Sequence, residues 1–382
     1  MNILYYLGNY PKLSETWVKN EISELRKRGH QVAVFSHHAP DEPSDELADI
    51  HSFTPPEPSL KGFRHLEFSE VLNPTFYQTL LWTKNPLRQA YSIYYASYAS
   101  SYVDSLPFDI DHIHGHFAMP PQVPANYVAR LYDLPHTLMT HAYDLYGFDH
   151  TPTREYLYRH SDRILTISEY NREYMEKEAN CTLDVNVVPA CFDANKFEPT
   201  EGHIENRILT VARHVEKKGI EYALRSIANI DTKVDYRVIG TGPRTEYLKE
   251  LTEDLKIKDQ VSFLGRVSDE RLKREMDEAQ LFLLPCVVAK NGDRDGVPVS
   301  IKEAMAMKTP PVTTTVSGIP EIVDESCGYL SPPKDVESLC NSIKEGLNSR
   351  SNDIGRNAQQ RIQSHKSEKV VDDLIKIFHE LV

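Results

Sequence analysis

Two carboxylates bracket the start of a predicted helix in the second half of the chain. Asp295 precedes the first turn, and Glu303 follows eight positions later. Free backbone N–H groups and the positive end of the helix dipole favour an anion between them, most often a phosphate. Pro298 suits the first helical position, because its φ angle is already fixed. The two acids can therefore address different parts of one phosphorylated ligand, although an ordinary strand, loop and helix with solvated acids would show the same pattern.

A second loop carries two cations at a spacing that suits phosphate. Arg213 and Lys218 lie between a predicted strand, 207–212, and a predicted helix that contains Tyr222 and Ile227. Arginine binds phosphate oxygens as a fork and lysine binds them as a point charge. A solvated basic loop is the alternative. The turn at residues 240–243, GTGP, follows the next predicted strand but lacks the third glycine of a dinucleotide fingerprint.

Histidines stand at the ends of two predicted strands in the first half. The run DHIHGHF at residues 111–117 places alternate histidines on one face of a strand. This spacing is compatible with metal ligands but suits a strand end equally, and we predict no metal site. His141 follows a predicted strand at 135–139, so it lies at the edge of a sheet where ligands bind. It either faces the reacting ligand or is a structural histidine with its hydrogen bonds satisfied.

The elements that must position these residues alternate between strand and helix along both halves. The first strand, 2–8, leads through Gly8 and Asn9 to a helix that contains Trp17, and a second strand follows at 31–36. This alternation predicts parallel sheets whose ligand crevice lies at the carboxyl ends of the strands. A length of 382 residues predicts two domains. We interpret the polar stretch 190–206 as the linker between them.

Composition narrows the class of protein. A net charge of −13 argues against a nucleic-acid-binding protein. The sequence shows no run of eighteen apolar residues and no signal peptide, so we expect no membrane span. Five scattered cysteines without paired spacing predict a reducing cytoplasm and no structural zinc.

An aromatic stretch, residues 54–105, interrupts the alternation of strands and helices. Two interpretations remain open: helices packed on the sheet, or a surface that meets a membrane or a lipid-linked partner. The charges of the stretch cancel, so strong attraction to anionic lipid is not expected. Its aromatic residues include Phe76, Tyr77, Trp82, Tyr91, Tyr94, Tyr95, Tyr98 and Tyr102.

In their order along the chain, these motifs resemble the retaining glycosyltransferases of family 4. The E-x7-E signature of that family is matched by Asp295 and Glu303, with EAMA at 303–306 and SGIPEIV at 317–323. Its R-x4-K loop is matched by Arg213 and Lys218. The motifs PxLSET at 11–16 and DxIHxHF at 111–117 are similar to the bacterial and archaeal polysaccharide branch, of colanic-acid type.

The resemblance implies a fold and a function. The expected fold is α/β GT-B, two facing Rossmann-like domains with parallel sheets and a C-terminal helix that crosses back to the first domain. The domains would be an acceptor-binding domain at 1–190, a nucleotide-sugar-binding domain at 191–366 and the crossing helix at 367–382. The expected activity is retaining transfer of a hexosyl unit from a nucleoside-diphosphate sugar to a glycan or lipid-linked acceptor in surface polysaccharide synthesis. The enzyme would need no metal or other cofactor. It would be cytoplasmic. Contact of the first domain with the inner face of the membrane is a further possibility that the resemblance leaves open.

The resemblance also implies roles for residues. Arg213 and Lys218 would bind the diphosphate, Glu303 the ribose hydroxyls and Asp295 the donor sugar, while His141 would face the sugar near its anomeric carbon. The catalytic positions are therefore His141, Asp295, Arg213 and Lys218. The substrate-binding positions are Gly8, Asn9, His116, Gly265, Arg266, Val267, Val297, Val299, Ser300 and Glu303.

One position departs from the family pattern. Asp295 stands where the family usually has glutamate, one methylene longer, and Asp293 nearby could compensate. The departure keeps open a non-catalytic subunit that binds a sugar nucleotide. A nucleotide-sugar epimerase of the same fold is a further alternative.

Overall fold

The chain forms two compact units in a computed structural model. The first unit contains Met1–Ile167, Arg172–Pro189 and Ser367–Val382, and the second contains Ser168–Asn171 and Ala190–Lys366. The structure describes residues 1–12, 15–39, 49–58, 82–147, 151–179, 183–200, 202–349 and 353–382.

A seven-stranded sheet is the centre of the first unit. Its strands are β1 (Asn2–Asn9), β2 (Gln31–His38), β3 (His51–Phe53), β4 (His112–His116), β5 (His136–Thr140), β6 (Arg163–Thr166) and β7 (Val185–Val187). They stand in the order β3-β2-β1-β4-β5-β6-β7, and all neighbouring pairs are parallel. The unbroken apolar run in β1 is typical of a strand covered on both faces, and Ile3 and Leu4 are fully buried.

Helices connect these strands, as the sequence predicts. They are α1 (Thr16–Lys27), α2 (Pro86–Ser105), α3 (Gln122–Leu131), α4 (Ala142–Tyr146), α5 (Thr151–His160) and α6 (Glu169–Ala179). Arg26 and Lys27 stand in the last turn of α1, and Gly29 follows with a left-handed φ of 83°.

The tyrosines of α2 are core residues. Tyr95 stacks on the buried His37 with ring centroids 3.8 Å apart. This confirms the interpretation as a helix packed on the sheet, since burial removes large aromatic surfaces from water. The interpretation as a membrane-facing surface is wrong for these tyrosines, whereas Phe76 and Tyr77 lie outside the described residues. The buried tyrosines of α2 are Tyr94, Tyr95, Tyr98 and Tyr102.

The second unit is built on a six-stranded parallel sheet. Its strands are β8 (Ile204–Val211), β9 (Asp235–Ile239), β10 (Val261–Gly265), β11 (Ala279–Leu284), β12 (Pro311–Thr314) and β13 (Tyr329–Ser331). They stand in the order β10-β9-β8-β11-β12-β13. Its helices are α7 (Ile220–Ile227), α8 (Thr245–Asp254), α9 (Asp269–Glu278), α10 (Val299–Ala306), α11 (Ile319–Ile322), α12 (Val336–Asn348) and α13 (Asp353–Arg361).

The stretch interpreted as a polar linker is partly core and partly strand. Cys191 and Phe192 are fully buried in the second unit, and β8 begins at Ile204, inside the predicted range. The prediction was wrong here because polar neighbours outweigh a short apolar segment in the composition of 190–206.

The last helix, α14 (Ser367–His379), belongs to the first unit. Its Phe378 stacks on His112 of β4 with ring centroids 4.2 Å apart, and Asp372 pairs with Arg28 at 3.1 Å. Two parallel-sheet, Rossmann-like units and a returning last helix confirm the predicted fold class. Among the helices of the described ranges, none is long and apolar enough to cross a membrane.

Candidate active site

The residues predicted to bind phosphate follow the carboxyl ends of neighbouring strands in the second unit. Arg213 and Lys218 follow β8, and Asp295 lies in the loop between β11 and α10. Strands β8 and β11 pair in parallel, so their loops emerge at one edge of the sheet. This edge is where open α/β sheets bind ligands.

A short 3-10 turn, Glu216–Lys218, fixes the backbone that carries the lysine. It ends at Gly219, whose φ of 66° lies in the left-handed region. A Cβ added to Gly219 would lie 1.8 Å from the carbonyl oxygen of Pro285. The N–H of Val287 donates to the carbonyl of Lys217 at 2.9 Å. The loop after β8 is therefore fastened to the chain that follows β11.

Asp295 forms ion pairs with both lysines of this turn. Its Oδ2 lies 2.9 Å from Lys218 Nζ and its Oδ1 lies 3.7 Å from Lys217 Nζ. Burial would raise the pKa of Asp295, but the charges of Lys218 and Lys217 outweigh it and hold that pKa below its usual value. Asp293 also forms an ion pair, with its Oδ1 3.0 Å from Lys217 Nζ. Asp295 is thus an ionised and paired carboxylate, which contradicts the alternative of a solvated acid.

A buried thiol completes the surroundings of Asp295. Cys286 Sγ lies 3.6 Å from Asp295 Oδ2. Burial, followed by the nearby carboxylate, raises the pKa of the Cys286 thiol well above its usual range. The thiol is therefore a neutral, weak donor to the carboxylate.

Arg213 differs from Lys218 in its surroundings. The residue is exposed, and within the part of the chain that the structure describes its guanidinium makes no hydrogen bond or ion pair. The next residue, His214, is buried, and its Nδ1 lies 2.9 Å from Thr245 Oγ1. The loop is thus anchored at His214 while the arginine beside it is available to an anion.

The N-terminus of α10 supplies backbone donors. Pro298 is the N-cap rather than the first helical residue, so the helix starts one position later than predicted. The N–H groups of Val299 and Ser300, on residues that are partly exposed, find no acceptor among the described residues. Val297, two residues before the helix, is buried in the core.

Glu303 is a carboxyl group with a shifted pKa. Burial raises its pKa to about 7, although the nearby charge of Lys196 acts in the opposite direction. Among the described residues it has no hydrogen-bond or ion-pair partner. A partly buried carboxyl without a partner is a candidate for ligand hydroxyl groups.

Close packing against the backbone explains the two glycines of the turn at residues 240–243. A Cβ at Gly240 would lie 2.0 Å from the carbonyl oxygen of Ala212, and one at Gly242 would lie 2.5 Å from that of His214. The N–H of His214 donates to the carbonyl of Thr241 at 3.0 Å. This turn therefore supports the backbone on either side of Arg213 and is not a dinucleotide fingerprint.

The end of β10 lies beside that glycine turn. The carbonyl of Gly265 accepts a hydrogen bond from the N–H of Gly240 at 2.9 Å, and Gly265 itself has a φ of 65°. Arg266 is exposed, while Val267 packs partly on the core. The three residues predicted here, Gly265 to Val267, thus join the same edge of the sheet.

The predicted residues of the first unit also lie along one sheet edge. Gly8 and Asn9 end β1, His116 ends β4 and His141 follows β5, three strands that are adjacent in the sheet. His116 Nδ1 lies 3.0 Å from His141 Nε2, and the two rings stack at an angle of 16°. His141 also caps α4: its side chain accepts from the backbone N–H of Asp144.

Two family profiles match the chain in succession. The profile described as Glycosyltransferase Family 4 matches residues 14–196, and the one described as Glycosyl transferases group 1 matches residues 192–361. Together they span both units and contain Arg213, Asp295 and Glu303. The chain belongs to the family 4 glycosyltransferases. The predicted family is therefore confirmed.

Known proteins resemble this glycosyltransferase over different shares of its length. The Escherichia coli K12 protein WcaL, named as a colanic acid biosynthesis glycosyltransferase, is 27% identical over 378 residues, 90% of each chain. The amylovoran biosynthesis glycosyltransferase AmsK of Erwinia amylovora is 38% identical over 141 residues, 36% of this chain and 35% of that one. The solved structure of Anabaena HepE with UDP and glucose has a TM-score of 0.72 over the whole of both chains at 17% identity, a likeness of fold.

One buried residue of the glycosyltransferase escaped the sequence analysis. Glu21 on α1 is 1% exposed, and its Oε2 lies 3.2 Å from His116 Nε2. Helical periodicity carries a signal for it, since Val18, Ile22 and Leu25 form the buried face of α1 and Glu21 falls on that face. In the described ranges, Glu21, His114 and His116 have potential ligand atoms within 4.8 Å of one another.

Proposed function

We propose that this glycosyltransferase is a retaining, metal-independent enzyme that moves a hexosyl unit from a nucleoside-diphosphate sugar to a glycan or lipid-linked acceptor. The product would enter a surface polysaccharide. Support for this class of acceptor comes from the polysaccharide-related names of WcaL and AmsK. Support for the class of donor comes from the UDP and glucose named for HepE.

The observation that carries the proposal is the chemistry at the sheet edge of the second unit. Arg213, which has no partner in the described part of the chain, provides positive potential for a diphosphate together with the charged Lys218 and the backbone donors of α10. A nucleoside diphosphate that departs from a sugar develops negative charge, and fixed cations and N–H donors stabilise that charge. These groups can replace the metal ion that other transferases use, so we propose that no metal takes part.

The remaining residues would bind the other parts of the donor. Glu303 would accept hydrogen bonds from the ribose hydroxyls, and Asp295 would accept them from the sugar. In the first unit, His141 would act on the sugar and Gly8, Asn9 and His116 would contact the substrates. We propose Gly265, Arg266, Val267, Val297, Val299 and Ser300 as further substrate-binding positions.

Retention of configuration would follow a front-face route. The bond between the anomeric carbon and the phosphate oxygen breaks while the acceptor oxygen bonds to the same face of that carbon. The acceptor's proton passes to the departing phosphate, which balances charge without a protein nucleophile. The ion pairs of Asp295 support this route, because a carboxylate that two lysines neutralise is a poor nucleophile.

The test is product formation from purified protein. Wild-type protein with its donor and acceptor should yield glycoside of retained configuration in the presence of a chelator, and Glu303→Ala and Lys218→Ala should each abolish transfer. Full activity of both variants would refute the site, and an inverted product would refute the retaining mechanism. Conversion of the donor without acceptor would identify an epimerase instead. Binding of the donor without turnover, unchanged by Asp295→Glu, would identify a non-catalytic subunit.

Contact with a membrane surface is a separate part of the proposal. The start of α2 offers an exposed Leu87, 80% accessible, between Lys84 and Arg88. An apolar side chain flanked by cations suits a lipid surface. Free, buried cysteines at all four described positions support a reducing, cytoplasmic location. Co-flotation with anionic vesicles that Leu87→Glu abolishes would support membrane contact, and equal flotation of the variant would refute it.

A further inference from the structure

We infer that Glu21 is a positioning residue that acts on His141 through His116. The inference rests on the proposed function, because it gives a purpose to the histidine that we propose acts on the sugar. Its basis is a line of three side chains in the first unit: Glu21 Oε2 is 3.2 Å from His116 Nε2, and His116 Nδ1 is 3.0 Å from His141 Nε2.

Glu21 occupies a place where an apolar residue would be expected. It lies on the buried face of α1 beside Val18 and Ile22, and its side chain is 1% exposed. A buried carboxylate is unfavourable unless polar groups surround it. Here the hydroxyl of Tyr5 donates to Oε2 at 3.5 Å, and His116 supplies the closer contact. The fold therefore keeps an acid on an apolar helix face, next to one imidazole of a pair.

The hydrogen bonds of His141 determine which nitrogens carry protons. The His141 side chain accepts from the backbone N–H of Asp144, which requires a lone pair on one ring nitrogen. In a neutral ring the other nitrogen then carries the proton. Since Nε2 is the atom that faces His116, we assign the proton to Nε2 and the lone pair to Nδ1. His141 then donates from Nε2 to His116 Nδ1.

The same reasoning continues to Glu21. Because His116 accepts at Nδ1, its proton is on Nε2, the atom that faces Glu21. Neither His116 Nε2 nor Glu21 Oε1 forms a hydrogen bond with the described residues, so the 3.2 Å approach of His116 Nε2 to Glu21 Oε2 is an electrostatic contact between the ring and the carboxylate. The order of donors is thus Asp144 N–H to His141 and His141 to His116, and the Nε2–H of His116 faces the Glu21 carboxylate.

This order gives Glu21 its role. A carboxylate at the end of a histidine chain holds each ring in one tautomer and one orientation, as acids behind catalytic or metal-bound histidines do. Its negative charge also makes the His141 ring more electron-rich. Positive charge develops on the sugar when the bond to the phosphate breaks, so the effect is larger in the transition state than in the bound donor.

A metal cation bound between Glu21 and His116 is the alternative to a proton on His116 Nε2. Glu21, His114 and His116 could together hold Zn²⁺, for which nitrogen and carboxylate ligands are suitable. A metal ion needs a lone pair on His116 Nε2, whereas the chain of donors requires a proton there. The two arrangements exclude each other, and one spectrum distinguishes them.

The experiment combines histidine ¹⁵N NMR with kinetics of the full-length protein. In wild type we expect His116 and His141 to be protonated on Nε2 alone, with signals assigned by their loss in His116→Gln and His141→Gln. Glu21→Gln keeps an acceptor and removes the charge, so we expect the same tautomers and a roughly tenfold lower kcat at unchanged donor affinity. Glu21→Leu should also lose the preference for the Nε2 proton at His116.

Glu24→Gln is the matched control, since Glu24 lies on the same helix but pairs with Arg28 and Lys27. It should change neither the tautomers nor kcat. A proton on His116 Nδ1 alone, stoichiometric zinc by elemental analysis, or full kcat in Glu21→Gln would each overturn the inference. Failure of the proposed function would appear separately, as absent donor binding in wild type, and the tautomers are measured without turnover.

Discussion

The ammonium group of Lys218 lies 2.9 Å from the carboxylate of Asp295. A cation that we propose for the diphosphate and an acid that we propose for the sugar therefore neutralise each other in this structure. Burial lowers the pKa of Lys218, but the Asp295 charge outweighs it and raises that pKa above its usual value, so the lysine remains charged. A donor that binds here must share both groups, which couples recognition of its phosphate to recognition of its sugar.

Removing the Asp295 carboxylate should strengthen binding of a nucleoside diphosphate and slow transfer of the sugar. We expect Asp295→Asn to bind a free nucleoside diphosphate about three- to fivefold more tightly, because a partly exposed ion pair of up to about 1 kcal/mol no longer competes for Lys218. Transfer should be slower, since the sugar loses a charged acceptor. Calorimetric titration and a transfer assay measure the two effects. The control is Asp293→Asn, which leaves the Lys218 pair intact; diphosphate affinity in Asp295→Asn no higher than in wild type would contradict the prediction.

Glu303 should make nucleotide affinity depend on pH. Burial raises its pKa from 4.5 to about 7, so the carboxyl is protonated in the folded protein below that pH. The ionised form is the better acceptor for ribose hydroxyls, and affinity for the nucleotide should therefore increase as pH rises through about 7. Titrations from pH 5.5 to 8.5 should show this increase in wild type and not in Glu303→Gln. Identical pH profiles of the two proteins would exclude Glu303 from the ribose contact.

Lys302 should make the stability of the folded protein depend on pH above about 7. It is fully buried, and its Nζ donates to the carbonyl of Ala190 at 2.7 Å. Burial lowers its pKa from 10.5 to about 7, so between these values the unfolded chain binds the proton more tightly than the folded protein. Wild-type stability should therefore gain from Lys302 as pH rises above about 7.

The variant Lys302→Met removes that contribution. We expect the Tm of the variant minus the Tm of wild type to be largest near pH 6.5 and to be smaller at pH 9. The control Lys344→Met changes a more exposed lysine and should shift Tm equally at both pH values. A Tm difference for Lys302→Met that does not vary with pH would show that Lys302 is charged when buried.

A methyl group at Gly242 should displace the loop that carries Arg213. The added Cβ would lie 2.5 Å from the carbonyl oxygen of His214, a contact with backbone that no side-chain rotation relieves. We expect Gly242→Ala to lower the free energy of unfolding by about 1–3 kcal/mol and to weaken diphosphate binding. The control is Gly202→Ala, whose Cβ would meet only Thr200 Oγ1 at 3.6 Å. Denaturant titration and calorimetry test this, and wild-type values for Gly242→Ala would contradict it.

Much of the fold follows from the sequence, for identifiable reasons. Strands such as β1 and β8 are buried on both faces, so their apolar runs are nearly continuous and easy to recognise. Arg213 and Glu303 stand out because their spacing is local and matches a family pattern. The aromatic stretch was ambiguous, because tyrosines that pack on a sheet and tyrosines that meet lipid have the same composition.

The sequence does not reveal which residues far apart along the chain contact each other in the fold. Lys218 and Asp295 are far apart in sequence, and only the parallel pairing of β8 with β11 brings their loops together. Glu21 and His116 are likewise joined by the packing of α1 on the sheet. The glycines at 240 and 242 look like a weak nucleotide motif until the carbonyls of Ala212 and His214 are seen against them.

The most direct test of the central claim is a thermal-shift titration with UDP-, GDP- and ADP-sugars. Our account predicts that one class of donor, at about a hundred times its dissociation constant, stabilises the wild-type protein by about 2.7 kcal/mol. It also predicts that the shift disappears in Arg213→Ala/Lys218→Ala. No shift with any nucleotide sugar, or an equal shift in the double variant, would contradict the account.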